Sequence, residues 1–405
     1  MIVVINFFKF KTKINFLFLL GLFSFYINSS KAQLTFSITD QFNYCNKQVF
    51  RTLQVIPKDG FNLPRSIQQN SSEWRFVDYK DWTSGFWPGT LWYIFEATND
   101  STIRQAAHDF SMELVPLSRE KAYDHDLGFQ IFCSFGNAYR LTKNPLYKKI
   151  ILETADTLAT LYNANVGTIL SWPREVKNFK AHNTIIDNMI NLELLFWAAK
   201  NGGSKKLYNI AETHALTTMK NHFRKDYSSF HVVLYDSSTG LKIKGITHQG
   251  SNDSSMWARG QSWAIYGFTM CYRETKNPKF LDFAQKVANV YLQNLPKDMI
   301  PFWDFNAPDI PNASKDASAA CIAASALIEL SSLTKDKKMK AMYLLNAEKM
   351  LNSLSSDNYL SKEKNSSFLL HSTGHYPKNS EVDASINYAD YYYIEALIRM
   401  KKIIK

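Results

Sequence analysis

The chain has 405 residues, 45% of them hydrophobic and 20% charged, with nine Trp, 21 Tyr and 28 Phe against 15 Gly and 12 Pro. That apolar area is ample for a packed core and excludes disordered, collagenous and low-complexity classes. The formal net charge is +11, yet no nucleic-acid motif accompanies it, so nucleic acid is not an expected partner.

Residues 1–32 read as a signal peptide. Lys9, Lys11 and Lys13 precede an apolar run from Ile14 to Tyr26, and Ser30 and Ala32 supply small residues at −3 and −1. Those 13 residues are too few for a membrane span, which needs about 20. The first cysteine, Cys45, lies too far on to take a lipid. The expectation is an exported protein without a membrane anchor, periplasmic, and monomeric or weakly oligomeric. Removing four Lys and no acids leaves 11 − 4 = +7 on the remaining 405 − 32 = 373 residues. That excess suits an anionic ligand; a solvated basic surface explains it equally well.

Past Asp81, apolar residues recur at i, i+3, i+4 and i+7 with almost no sustained alternation. Tyr139-Arg-Leu-Thr-Lys-Asn-Pro-Leu-Tyr147 returns as Tyr272-Arg-Glu-Thr-Lys-Asn-Pro-Lys-Phe280, the polar end of one helix followed by a Pro that opens the next. Helices beginning near Gly85, Asp126, Asp187, Arg259, Asp316 and Asp383 are apolar on nearly all sides and must be buried. Between them, stretches such as 146–162, 204–223, 280–292 and 338–354 carry Lys and Glu on one face. Six buried helices alternating with amphipathic ones predict an all-α (α/α)6 barrel, one domain over residues 33–405. Residues 228–249 read as a small inserted β-hairpin. The four cysteines are far apart and form no CxxC, which excludes a zinc ribbon, a thioredoxin motif and a disulfide scaffold. Three of them lie in apolar helical patterns and read as buried thiols.

Each buried helix is introduced by a loop dense in Trp, His, Asp, Gly and Arg, and in such a barrel these loops share one mouth. Polar groups there are costly unless they bond one another or a ligand. Aromatic walls with convergent carboxylates, His and Arg suit a sugar, because rings stack on the apolar faces of pyranoses. Asp126 and Asp187, each taken alone, also fit as helix caps; their His, Asn and aromatic company favours a site. Trp92 and Trp197, inside helices, read as core. Trp82, Trp172, Trp257 and Trp263 stand beside loop carboxylates or Arg. Arg259, between two Trp, suits a carboxylate ligand, though a structural ion pair explains it too. His231 and His248 are individually weak signals. No His/Asp pair has i,i+4 spacing, so no metal is expected.

The runs His125-Asp-Leu-Gly-Phe129, Asp187-Asn-Met-Ile-Asn-Leu-Glu-Leu-Leu195 and Ser255-Met-Trp-Ala-Arg-Gly-Gln-Ser-Trp263 resemble the unsaturated glucuronyl hydrolases of glycoside hydrolase family 88. The similarity extends through Asp81-Trp-Thr-Ser-Gly-Phe-Trp-Pro-Gly89, Asp316-Ala-Ser-Ala-Ala and Asp390-Tyr-Tyr-Tyr-Ile-Glu-Ala396. The family is an (α/α)6 barrel. The resemblance implies that Asp187 is the general acid/base and that Asp126 is a second essential Asp holding the sugar hydroxyls. It places His125, Trp82, Trp172, His231, His248, Gln249, Trp257, Arg259, Trp263 and His375 at positions resembling the family's substrate contacts. The implied partner is an anionic unsaturated di- or oligosaccharide, and no cofactor is required. The implied reaction hydrates a 4,5-unsaturated uronic acid, for which a carboxyl of raised pKa is suited. The segment Ser372-Thr-Gly-His-Tyr-Pro-Lys378 departs from the Ser-x-x-Ser-x-Lys pattern associated with 6-O-sulfate recognition in some members. Two other readings stand beside this one: an unsaturated rhamnogalacturonyl hydrolase, and an exported glycan-binding protein without activity.

Overall fold

A computed structural model describes residues 34–404; the signal peptide expected over residues 1–32 lies outside them. Helices alternate between two rings. The outer ring holds Ile38–Val55, Ser101–Met112, Pro145–Ala159, Lys205–Asn221, Pro278–Gln293 and Lys337–Leu354. The inner ring holds Phe86–Thr98, a π-helical Gly128–Gly136 that continues as Asn137–Thr142, Asn188–Lys200, Ala258–Thr275, Ala317–Leu333 and Asn387–Ile404. Each inner helix packs on the next, and Asn387–Ile404 returns against Phe86–Thr98 to close the ring. This is the (α/α)6 barrel that the alternation of buried and amphipathic helices predicts.

The repeated Lys-Asn-Pro explains the tight turns between rings. Lys143 and Lys276 both adopt the left-handed conformation at φ 58°, and each donates its N–H back into the finished helix, to Tyr139 and Tyr272. Asn144 and Asn277 then cap the next helix by accepting from Leu146 and Lys279, with Pro145 and Pro278 in the first turn. Inner helices are buried nearly throughout; every residue from Ala317 to Ile328 is. The four cysteines are free and buried. Trp92 is fully buried, and Trp197 packs partly buried against Phe132 and Tyr139.

The strands lie at the entrances to inner helices. Leu63–Ile67 pairs with Trp74–Val77 and with Ser385–Ile386, which leads into the last inner helix. The expected hairpin is present as Val232–Tyr235 and Lys242–Ile246, and a third strand, His182–Ile185, joins it. That strand is buried at all four positions, so it shows no alternation in sequence. Three other expectations need correction. The last inner helix starts at Asn387 rather than near Asp383, because Ser385 and Ile386 are taken up in strand pairing. The second opens as a π-helix at Gly128, not as an α-helix at Asp126. The outer helix Ile38–Val55, capped by Ser37, was not foreseen.

Candidate active site

The N-terminal ends of the inner helices surround a cleft of about 370 Å³. Asp126, Asp187 and Arg259 all line it, so the three residues expected at one end of the barrel are there.

Asp187 follows the strand His182–Ile185 and occupies the N-cap position of Asn188–Lys200, yet its side chain makes no capping bond. Its Oδ1 is buried without a hydrogen-bond partner, and His231 Nε2, itself unpartnered, lies 3.9 Å away. Burial pushes the carboxyl up to about 7, against the opposing charge of Arg259. Such a group releases and regains a proton near neutrality.

Asp126 is 6% exposed and sits beside His125, whose Nε2 is 3.5 Å from its Oδ1. Burial first, then the carboxylates of Asp124 and Asp187, push Asp126 well above the usual range, while Arg174 opposes them. Two buried carboxyls therefore face one cleft, both inclined to hold protons.

The histidine tautomers follow from their partners. Asn191 Oδ1 accepts the Phe129 N–H at 2.8 Å, so its amide nitrogen is the group facing His125 Nδ1 at 3.2 Å. His125 Nδ1 thus accepts, and the ring proton sits on Nε2, toward Asp126. His231 Nδ1 accepts the backbone N–H groups of His248 and Gln249 at 3.2 and 3.0 Å, which puts its proton on Nε2 toward Asp187. Burial lowers the pKa of His125 to about 3 and holds His231 well below the usual value. Both are neutral imidazoles that offer an N–H to a carboxyl.

Trp172, His248, Gln249, His375 and Trp82 also line the cleft. Trp172 meets the rings of His231 and His248 edge-on, and His375 Nε2 donates to the His248 carbonyl at 2.9 Å. Trp257 lies one layer back, with its ring 4.4 Å from that of His231 and 4.6 Å from the Arg259 guanidinium. Trp263 lies deeper still, fully buried against Phe129 and Tyr392, and does not reach the cleft. Arg259 is committed: it bonds Asp316 at 2.6 Å and the carbonyls of Thr373 and Gly374, with Gln249 Oε1 3.5 Å from Nη2. Asp316 in turn caps Ala317–Leu333. Arg259 is thus a fixed positive charge beside the cleft, its Nη1 and Nη2 hydrogens taken up by Asp316, the two carbonyls and Gln249.

Sequence reasoning passed over Tyr123, Asp124, Arg174, Lys378, Tyr388 and the ion pairs joining Arg65 to Asp81 and Glu381, all part of the cleft wall. Asp124 and Arg174 had a signal, since each stands two residues from a candidate, Asp126 or Trp172. The partners Arg65 and Glu381 are 316 positions apart and had none. The cations Arg65, Lys80, Arg174, Arg259 and Lys378 number five, as do the acids Asp81, Asp124, Asp126, Asp187 and Glu381. Burial raises Asp124, Asp126 and Asp187 toward their neutral forms, which tilts the wall toward positive charge and favours an anion. Among the described residues, no three His, Cys, Asp or Glu side chains are grouped to hold a metal.

The chain matches Glycosyl Hydrolase Family 88 over residues 61–402. It is 47% identical over 362 residues to an unsaturated glucuronyl hydrolase of Formosa agariphila, covering 88% of each chain. To an unsaturated glucuronyl hydrolase of Bacillus sp. strain GL1 it is 32% identical over 355 residues, 87% of this chain and 94% of that one. Among solved structures, an unsaturated glucuronyl hydrolase specific for heparin superposes with a TM-score of 0.85 at 41% identity, over 91% of this chain and 97% of the other.

Proposed function

The chain belongs to glycosyl hydrolase family 88, and on that premise we propose that this glycosidase removes a 4,5-unsaturated uronic acid from the non-reducing end of lyase-generated oligosaccharides. Asp187 gives its proton to C4 of the vinyl ether, and positive charge develops on C5 and the ring oxygen. Water adds to C5 and returns a proton to the Asp187 carboxylate. The hemiketal formed at C5 opens as the C5–O5 bond breaks, which leaves a ketone at C5 and a hydroxyl on C1. C1 is then a hemiacetal and releases the neighbouring sugar, so one water is consumed and Asp187 ends as it began.

The observation that carries this reading is the buried, unpartnered Asp187 oxygen in the cleft, on a carboxyl raised to about 7. One group can serve as acid and then as base at neutral pH only if both forms are accessible there. Asp126 holds the sugar hydroxyls, and the uronate carboxylate lies beside Gln249 and the fixed charge of Arg259, for which the wall's tilt toward positive charge is suited. Trp82 and Trp172 supply stacking surfaces. The basic segment, apolar run and small residues within 1–32 support export to the periplasm.

Incubation with a panel of lyase-generated disaccharides tests the proposal. Consumption of the conjugated uronate chromophore with release of the second sugar is the expected result, and the disaccharide turned over fastest names the parent polysaccharide. Turnover confined to unsaturated uronates linked to rhamnose would favour a rhamnogalacturonyl specificity. Tight binding with an intact chromophore would overturn the reaction.

A further inference from the structure

One cleft-wall ion pair has no task in the hydration scheme. Asp124 Oδ1 accepts the Asp126 backbone N–H at 3.0 Å, and Asp124 Oδ2 accepts from Arg174 Nη1 at 3.0 Å. The guanidinium lies 5.0 Å from the Tyr123 ring centroid and 6.0 Å from that of Trp172. Two further connections make one unit of these loops. The His125 N–H donates to Ser171 O at 3.1 Å. Asn183 clamps Trp172 by accepting its N–H at 2.9 Å and donating to its carbonyl at 3.1 Å. Tyr123, Asp124, Asp126, Trp172 and Arg174 all line the cleft, so the pair is the cleft-facing edge of a stiff wall.

We propose that Asp124 and Arg174 form a positioning pair for Asp126, with Asp124 fixing where the carboxyl stands and Arg174 balancing the charge of the two adjacent carboxyls. The proposal rests on Asp126 belonging to the site described above. Asp126 is faced by Asp124 and His125 of its own loop, by Arg174 of the neighbouring loop and by Asp187 at the next inner helix; Asp187 is faced in turn by His231 and Arg259. Asp124 and Asp126 are both raised, first by burial, and Arg174 opposes the rise in both. Two carboxyls sharing one cation titrate as a dyad, so the cation sets how many protons the dyad holds at working pH. Arg174 is 39% exposed and Asp124 12%, so removing the cation leaves a largely buried carboxyl that can shed its charge only by taking up a proton. Melting of each variant is therefore measured beside its kinetics.

The pH profile of kcat/KM tests the proposal through opposite shifts. Arg174→Gln removes the cation, and the dyad's apparent pKa should rise by about one unit. Arg174→Lys keeps the charge and should stay near wild type. Asp124→Asn keeps an oxygen to accept the Asp126 N–H, deletes the neighbouring charge and frees Arg174 to face Asp126. Its apparent pKa should fall. Profiles that coincide with wild type in folded Arg174→Gln and Asp124→Asn, or that move the same way, overturn the pair. If Arg174→Gln does not fold, Asp124→Asn must still move down while Arg174→Lys holds, and any other outcome overturns it. An Asp187→Asn control separates the two levels. Retained turnover there defeats the reading of the site, whereas lost turnover with unmoved pair profiles defeats the positioning pair alone.

Discussion

Replacing Asp187 by Asn should cut turnover by orders of magnitude and at the same time stabilise the protein above neutral pH. In the folded chain the carboxyl keeps its proton to about pH 7, whereas an unfolded Asp releases it near about 3.9. Between those values the folded state binds more protons than the unfolded one, so this group's contribution falls as pH rises. A rise of about three units corresponds to about 4 kcal/mol at most, at about 1.36 kcal/mol per unit. The side chain is 13% exposed to the cleft, and that residual hydration brings the expected gain down to about 1–2 kcal/mol. Asn carries no charge and so escapes the cost. No capping bond is lost, since Asp187 makes none. Removing the transferable proton should lower kcat by about 10²–10⁴-fold. Thermal melting of both proteins at pH 5 and pH 8, with turnover measured alongside, provides the assay. The variant should gain stability over wild type between the two pH values. A variant that melts lower than wild type at pH 8, or that retains turnover, refutes the placement of Asp187 as a buried acid/base.

Asp126→Asn should lower turnover by about 10²-fold or more and, because burial raises Asp126 as it raises Asp187, should also melt higher than wild type above neutral pH; near-normal steady-state rates would return Asp126 to a structural role. Arg259→Ala deletes one partner of a buried ion pair with Asp316 and should cost about 3–5 kcal/mol of stability. Of the molecules that remain folded, KM should rise about tenfold; denaturant melts and Michaelis kinetics check both. Gly128→Ala places a Cβ 2.5 Å from Asn191 Cα, closer than atoms pack. It should cost about 1–3 kcal/mol and lower turnover by displacing the Asn191 that orients His125; melting unchanged from wild type would contradict the tight approach.

The barrel was legible because its two rings obey different burial rules. A helix such as Ala317–Leu333 is apolar on every side, while Pro278–Gln293 shows polar residues on one face, and that contrast survives in any window of the sequence. The turns were legible because Lys-Asn-Pro combines a left-handed end, a cap and a first-turn Pro in three adjacent letters. What stayed hidden depends on partners far along the chain. His182–Ile185 becomes a strand only when Val232–Tyr235 lies beside it, and the last inner helix is shortened by pairing with residues 66 and 67. At the site, Asp126, Asp187 and Arg259 were marked by their unusual neighbours. The depth order of Trp172, Trp257 and Trp263, from wall to core, was not marked, because a Trp at the head of an apolar helix looks the same in sequence whether it meets sugar or protein.

Turnover of an unsaturated disaccharide in D2O, followed by NMR from the earliest time points, tests most directly the claim that Asp187 protonates C4 of a vinyl ether. The account predicts loss of the C4 vinyl signal as the second sugar is released, with one deuteron delivered to a single face of C4. Release of the second sugar from a uronate that still carries its C4 vinyl proton would contradict it.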